Sequence, residues 1–111
     1  MIGPWARLLA VAAVFGTGLA VVSGVADWGT AHELLAALAL PPLAGLVVYA
    51  WVSARPLLPA SVAALVLFGL AALLTEPGVH LAAASLAFGA SALLCAQVWR
   101  EPARAAVDVH D

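Results

Sequence analysis

Residues 57–74, LLPASVAALVLFGLAALL, decide the fold of this chain: they carry no charge, and Ser61 is their only polar side chain. The run is close to the ~20 apolar residues that an α-helix needs to cross the hydrocarbon core of a bilayer. It is rich in Ala and Leu and shows no alternation of apolar and polar residues, which disfavours a strand. It therefore predicts a transmembrane helix.

Three further apolar runs of similar length flank this one and are separated by short polar segments. Together they predict an all-α fold, an integral membrane four-helix bundle in which residues 1–99 form one transmembrane domain. Residues 100–111 predict a short cytoplasmic tail that is disordered. The expected helices span approximately residues 5–25, 31–53, 57–74 and 77–99.

The composition of the chain agrees with lipid as its surroundings. Hydrophobic residues make up 66% of the sequence and charged residues only 9%, and the mean hydropathy is +1.12. About a quarter of the residues of a soluble domain are charged. The formal net charge of -2 gives no reason to expect nucleic acid as a partner. Cys95 is the only cysteine, which excludes an intramolecular disulfide and a CxxC redox pair.

The charged residues predict an orientation in the membrane. The arginines fall on one side of the predicted bundle and the acidic loop residues on the other: Arg7, Arg55, Arg100 and Arg104 against Asp27, Glu33 and Glu76. Because basic residues are enriched in cytoplasmic loops, we expect both termini to be cytoplasmic. Abundant Ala and the absence of Lys indicate a bacterial source, so a multi-pass protein of the bacterial inner membrane is expected.

The two halves of the sequence resemble each other. When His32–Leu40 is laid on His80–Phe88, the histidines and three further positions match. Each histidine follows a polar loop and begins the second helix of a predicted hairpin. The pattern predicts two helical hairpins arranged as a parallel repeat. The further matching pairs are Ala36 with Ala84, Leu38 with Leu86, and Ala39 with Ala87.

His32 and His80 are the residues that most directly indicate chemistry. Both lie at the outer, N-terminal ends of predicted helices that run in the same direction, so both imidazoles can point into the bundle at one depth. Neutral imidazole is a common ligand of haem iron, and small residues below each histidine leave room for a flat macrocycle. We therefore expect His32 and His80 to be the axial ligands of a haem, and His110 to have no role.

Structural interpretations of the same residues remain open. A histidine near the interface can cap a helix or bind a headgroup, and a site for another metal or a quinone is a further alternative. Small residues spaced four apart in the first helix are interpreted as a surface that lets helices approach closely. These residues are Ala12, Gly16, Ala20 and Gly24.

The acidic residues have local roles in the first instance. Thr30 and Glu33 fit a T-x-x-E capping box at the start of the second helix. Asp27 and Glu76 lie in loops, where carboxylates are normally solvated. Asp27, Glu33 and Glu76 are also candidates to form hydrogen bonds with a ligating imidazole.

The segments Gly18–Leu40, GLAVVSGVADWGTAHELLAALAL, and Glu76–Leu94, EPGVHLAAASLAFGASALL, resemble one half of the haem A synthase family of cytochrome oxidase assembly proteins. The resemblance covers residues 18–51 and 77–100. Members of that family consist of two four-helix halves, each with a His at the outer end of its second and fourth helices. The resemblance implies that His32 and His80 bind haem b, or a related haem, near the outer face.

The chain departs from that family in two respects. It corresponds to one half only, so the resemblance implies a homodimer, with respiratory oxidase or assembly proteins as further partners. In the catalytic half of the family a Glu lies three residues before the first His, and here Gly29 occupies that position. The chain thus resembles the half that only holds haem, and whether it is an enzyme, an oxidoreductase in that case, stays open.

The expected function is a b-type cytochrome-like membrane protein for electron transfer, haem handling or cytochrome oxidase assembly. The alternative is a membrane subunit or assembly partner without a cofactor. A small multidrug-type transporter fits less well, because coupling requires an ionisable side chain within the membrane. No such residue lies in the central part of any predicted helix.

Overall fold

The computed structural model describes residues 4–110, with side chains for residues 4–100. The described residues form four α-helices, as the sequence predicted, and a short 3-10 turn, Arg55–Leu57, that precedes the third helix. The observed ends lie within one residue of the expected ones, apart from the end of the last helix. The helices are α1 Pro4–Val25, α2 Thr30–Ser53, α3 Leu58–Leu73 and α4 Pro77–His110.

The helices surround one narrow core. α1 packs against α2 and α4, and α3 packs against the same two helices, so α2 and α4 lie diagonally opposite each other. Ala residues dominate the buried positions, and small side chains let the helices approach closely. One such close approach involves Gly16, where an added Cβ would lie 3.0 Å from the Cα of Ala39. The structure as a whole extends over 52 × 19 × 19 Å.

The outer surface of the bundle is apolar. All four helices contain segments long and apolar enough to cross a membrane. Large hydrophobic side chains point outward along each of them, with Trp5 70% exposed and Leu38 67% exposed. An apolar surface of this extent is unfavourable in water. The chain is therefore a multi-pass membrane protein whose helices are surrounded by lipid.

The buried positions recur at the spacing that separates His32 from His80, which is 48 residues. Four pairs of buried residues in α2 and α4 are separated by this spacing: Ala39, Leu43, Leu46 and Ala50 in α2 with Ala87, Ser91, Leu94 and Val98 in α4. The same relation holds between α1 and α3. There Ala13, Ala20 and Ser23 correspond to Ser61, Phe68 and Ala71, and all of these are buried.

The turn between α1 and α2 differs from the sequence interpretation. Gly29 is the N-cap residue of α2, with φ 63° and ψ −126°, and no side chain caps this helix. The predicted Thr30–Glu33 capping box is therefore wrong, because Thr30 already lies inside the helix. Asp27 has φ 57° in the same turn. Only glycine adopts the backbone angles of Gly29 without strain, so this turn disfavours any residue with a side chain at position 29.

The last helix continues beyond the predicted transmembrane segment. The backbone of α4 is helical to His110, where the sequence interpretation expected a disordered tail from residue 100. Ala, Arg and Glu have high helix propensity and are frequent in residues 100–106, REPARAA, which accounts for the continuation. Asp111 lies outside the described residues.

Candidate functional site

The two histidines of the predicted site lie together in the bundle. His32 is in the first turn of α2 and His80 in the first turn of α4, so the diagonal arrangement of these helices places the two rings across the core from each other. Their ring centroids are 6.2 Å apart and the ring planes are inclined by 80°. Both side chains are half-buried.

The tautomer of His80 follows from its hydrogen bond. Its Nδ1 lies 2.5 Å from the carbonyl oxygen of Ala71 in α3. A carbonyl oxygen only accepts hydrogen bonds, so Nδ1 carries the proton and donates it. In a neutral imidazole the other nitrogen, Nε2, then has a free lone pair. Nε2 is therefore the nitrogen of His80 that can act as an acceptor or as a ligand.

His32 is held in the same way by a serine hydroxyl. Its Nδ1 lies 2.9 Å from Oγ of Ser23, which is fully buried in α1. The Ser23 hydroxyl donates its own proton to the carbonyl oxygen of Ala20 at 3.0 Å. The oxygen is therefore the acceptor towards His32, whose Nδ1 carries the proton. Nε2 of His32 is again the nitrogen with a free lone pair.

Sequence reasoning missed both of these hydrogen-bond partners. Ser23 and Ala71 each lie nine residues before the histidine that they orient. Alignment of the two halves places Ser23 and Ala71 at equivalent positions. The contact of Ala71 uses its backbone carbonyl, which no residue type indicates, and Ser23 is a single polar residue within an apolar run. In each hairpin, therefore, a residue of the first helix orients the histidine of the second helix: α1 orients His32 of α2, and α3 orients His80 of α4.

The acidic candidates lie close to the histidines in the sequence. Among residues 4–100, no described hydrogen bond joins Asp27, Glu33 or Glu76 to either imidazole. Glu33 is exposed, and Asp27 lies in the exposed turn before α2. Glu76 instead caps α4: its Oε2 accepts a hydrogen bond from the backbone N–H of Val79 at 2.9 Å, and its Oε1 one from Gly78 at 3.2 Å.

Two cavities flank the histidine pair. A cavity of about 300 Å³ lies between α1 and α4, and a smaller one of about 50 Å³ lies towards α3. Both cavities share four lining residues: Ala20, His32, His80 and Ala84. The histidines therefore stand on opposite walls of a slot that is otherwise lined by small or apolar side chains.

Gly24 makes room for the ring of His32 at the wall of this slot. A Cβ added at Gly24 would lie 3.1 Å from Cε1 of His32 and 3.5 Å from its Nε2. The small-residue surface of α1 thus has two roles. Gly16 allows the approach of α2, as the sequence interpretation held, whereas Gly24 accommodates a functional side chain.

The donor set and the spacing fit a metal held between two imidazoles. At a metal–nitrogen distance of about 2 Å, with each ring centroid about 1 Å behind its nitrogen, two imidazoles on opposite sides of one metal have centroids about 6 Å apart. The observed distance is 6.2 Å. Within the described part of the chain no group of three or more His, Cys, Asp or Glu could hold a metal ion. The remaining ligands would have to come from a cofactor, as the four nitrogens of a haem do.

Removal of the Ser23 hydroxyl is expected to weaken this site. In Ser23→Ala, Nδ1 of His32 loses its acceptor, and the ring loses the contact that fixes its tautomer and orientation. Loss of such a partner typically costs 10–100-fold in metal affinity, so we expect a haem affinity lower by about that factor. Titration of the purified apoprotein with haem measures it.

Ser61→Ala is the matched control for this variant. Ser61 is also buried, but among the described residues its hydroxyl bonds to the carbonyl of Leu58 in its own helix, away from the site. Equal haem affinities in the two variants would contradict the role of Ser23.

The cap of α4 predicts a pH dependence of stability. The hydrogen bonds from Val79 and Gly78 hold the pKa of exposed Glu76 below its ordinary value of 4.5. Because its pKa is lowered in the folded state, ionised Glu76 stabilises the fold at pH values above its ordinary pKa. This stabilisation is lost as the pH falls through the lowered pKa. Wild type should melt at a higher temperature than Glu76→Gln near about pH 7, and the difference should shrink as the pH falls below 4.5 and through the lowered pKa.

Glu33→Gln serves as the comparison for that experiment. It removes a carboxylate from the first turn of α2, where no side chain caps the helix. The difference between its melting temperature and that of the wild type should depend on pH less than the difference for the Glu76 variant, because Glu33→Gln keeps the capping bonds of Glu76. The same pH profile in both variants would show that the capping bonds of Glu76 do not matter.

Comparison with known proteins gives no independent assignment of this site. No known protein family, curated protein or solved structure matches the chain.

Proposed function

We propose that this chain binds one haem b, or a related haem, with His32 and His80 as the axial ligands, and acts as a small b-type cytochrome. The observation that carries the proposal is the pair of imidazoles with centroids 6.2 Å apart, each with its Nδ1 occupied by a partner in the preceding helix. Both Nε2 atoms are thereby left free to bind a metal. The cavities on either side of the pair provide space for the flat ring of a haem.

The protein residues would bind, orient and shield the haem. A haem with two imidazole ligands supplies one-electron oxidation and reduction. Ser23 and the carbonyl of Ala71 fix the two ring orientations, and Gly24 keeps the wall beside His32 free. With both axial positions taken by the protein, the site suits electron transfer or haem handling. Gly29 stands where the catalytic half of the haem A synthase family has a Glu, and a Glu with the backbone angles of Gly29 would be strained, which argues against the hydroxylating activity of that family.

The cellular setting is part of the same proposal. Arg7 and Arg55 lie at the end of the bundle opposite to the histidines, each with its guanidinium over a tryptophan ring, Trp99 and Trp51 respectively. Basic residues are enriched on the cytoplasmic side, so both termini are cytoplasmic and the haem lies near the outer face of the bacterial inner membrane. The resemblance to one half of haem A synthase makes a homodimer, and respiratory oxidase or assembly proteins, the partners to test.

Absorption spectroscopy tests the haem proposal. The protein is expressed with added haem, purified in detergent, and measured oxidised and reduced. We expect about one haem per chain, with a Soret band and the sharp reduced bands of six-coordinate low-spin iron. A colourless protein that also fails to bind haem added after purification would overturn the proposal.

A membrane subunit without a cofactor is the second candidate function. The same two rings fit an edge-to-face contact, because aromatic rings pack in this way with centroids about 4.5–7 Å apart. In that case the histidines only connect α2 with α4, and the purified protein is colourless but co-purifies with a larger membrane complex. Pull-down from membranes, followed by identification of the retained proteins, separates this candidate from the cytochrome.

A further inference from the structure

The two sides of the histidine slot are related by the spacing of 48 residues but are not alike. Ala20 of α1 corresponds to Phe68 of α3, and both side chains are buried beside the histidines. Ala20 lines both cavities, whereas Phe68 lines only the small one. The phenyl ring therefore occupies on the α3 side the space that stays open on the α1 side. Accordingly, the cavity on the α1 side has a volume of about 300 Å³ and the cavity on the α3 side one of about 50 Å³.

The open side is bordered by exposed apolar side chains. The cavity between α1 and α4 is bordered by Val25, which is 69% exposed, and by Leu81, which is 44% exposed. Its remaining border residues, apart from the histidines, are also apolar. A border of this kind is compatible with passage of a flat, apolar molecule from lipid and offers nothing to retain an aqueous ion.

A second apolar groove continues from this opening along the same two helices. It has a volume of about 350 Å³ and shares Val21 with the cavity beside the histidines. Gly18 and Phe88 both line this groove and are in close contact, since a Cβ added at Gly18 would lie 3.0 Å from the ring of Phe88. The groove extends the opening towards the middle of α1, where the surrounding medium is hydrocarbon.

From this asymmetry we infer that haem enters and leaves the site sideways, from the bilayer, through the gap between α1 and α4, while Phe68 closes the corresponding gap between α2 and α3. The inference rests on the proposed haem binding. It adds a route and a source for the haem, which is the lipid phase. The edge of the bound haem that faces this gap is then also the edge accessible to a membrane-embedded partner.

A pair of exposed positions at the same spacing of 48 residues allows a matched test. Val25 borders the gap between α1 and α4, and Leu73 corresponds to it on α3 and is 78% exposed. Because both positions are exposed, tryptophan at either one leaves the buried core intact, and at Val25 it stands at the border of the gap. We expect Val25→Trp to slow haem uptake by about tenfold or more, as a modest steric barrier does, and Leu73→Trp to leave the rate of the wild type unchanged.

The rate is measured with apoprotein in phospholipid vesicles that are mixed with haem-loaded vesicles, and the growth of the Soret band is followed with time. If both tryptophan variants took up haem at the rate of the wild type, the route would be overturned while haem binding stayed intact. A wild type that takes up no haem, in vesicles or in detergent, would overturn the proposed function and the route with it.

Exchange of the two buried residues provides a second test that does not depend on the exposed positions. Ala20→Phe should abolish haem binding, because a phenyl ring then stands on both sides of the slot. The double variant Ala20→Phe/Phe68→Ala should regain binding, with uptake now slowed by Leu73→Trp instead of Val25→Trp. Far-ultraviolet circular dichroism verifies that each variant is folded. A folded Ala20→Phe variant that binds haem like the wild type would contradict the inference.

Discussion

Loss of either imidazole is expected to abolish the six-coordinate haem spectrum of this protein. In His32→Ala or His80→Ala one axial position loses its only protein ligand, because within the described residues no third His, Cys, Asp or Glu lies close enough to replace it. Removal of a single hydrogen-bond partner of a ligand costs up to about 100-fold in affinity, and removal of the ligand itself should cost at least as much. Haem per chain should fall to near zero after purification, and any residual haem should be five-coordinate.

His110→Ala is the control for these two variants. The sequence contains this third histidine in its C-terminal segment and gives it no role in the site, so its haem content and reduced spectrum should equal those of the wild type. Each protein is purified in parallel, and haem is quantified after extraction. If haem content were unchanged in both His32→Ala and His80→Ala, haem bound elsewhere would be the explanation and the proposed site would be wrong.

The helices and the histidine pair were accessible from the sequence because both depend on simple periodic features. The length of each apolar run is set by the thickness of the bilayer, so the membrane-spanning segments could be read directly. His32 and His80 begin the second helix of successive hairpins, and with short connections this position fixes their depth. Two side chains at equal depth on diagonal helices face each other across a narrow core.

The environment of the histidines was not accessible in the same way. The sequence interpretation named Asp27, Glu33 and Glu76 as candidates for the orienting contacts, because carboxylates are frequent partners of metal-ligating histidine. In the structure a buried hydroxyl and a backbone carbonyl make these contacts. The backbone angles of Gly29, which displace the expected capping box, depend on how the turn closes between two packed helices. The difference between Ala20 and Phe68 acquires meaning only when the cavities are known.

A side chain at Gly16 is expected to have the largest effect on the stability of the fold. The Cβ of an alanine there would lie 3.0 Å from both Cα and Cβ of Ala39. A backbone atom cannot move aside as the end of a flexible side chain can, so α1 and α2 would have to separate. Overpacking of this kind typically costs 1–3 kcal/mol, and it should exceed the gain of about 1 kcal/mol that Ala has over Gly in a helix. We expect Gly16→Ala to lower the free energy of unfolding and Gly16→Leu to lower it further.

Gly89 provides the matched control, because it lies in α4 on the exposed surface and no atom is within 4 Å of the position that a Cβ would take. Gly89→Ala should be neutral or stabilising, since only helix propensity changes there. Unfolding of the detergent-solubilised proteins is followed by loss of helical circular dichroism with increasing temperature. Because α1 carries Ser23 and α2 carries His32, separation of these helices at Gly16 should also lengthen the hydrogen bond between them and reduce haem affinity. If Gly16→Leu were as stable as Gly89→Leu, the close contact of α1 with α2 would be wrong, and with it the geometry that places Ser23 beside His32.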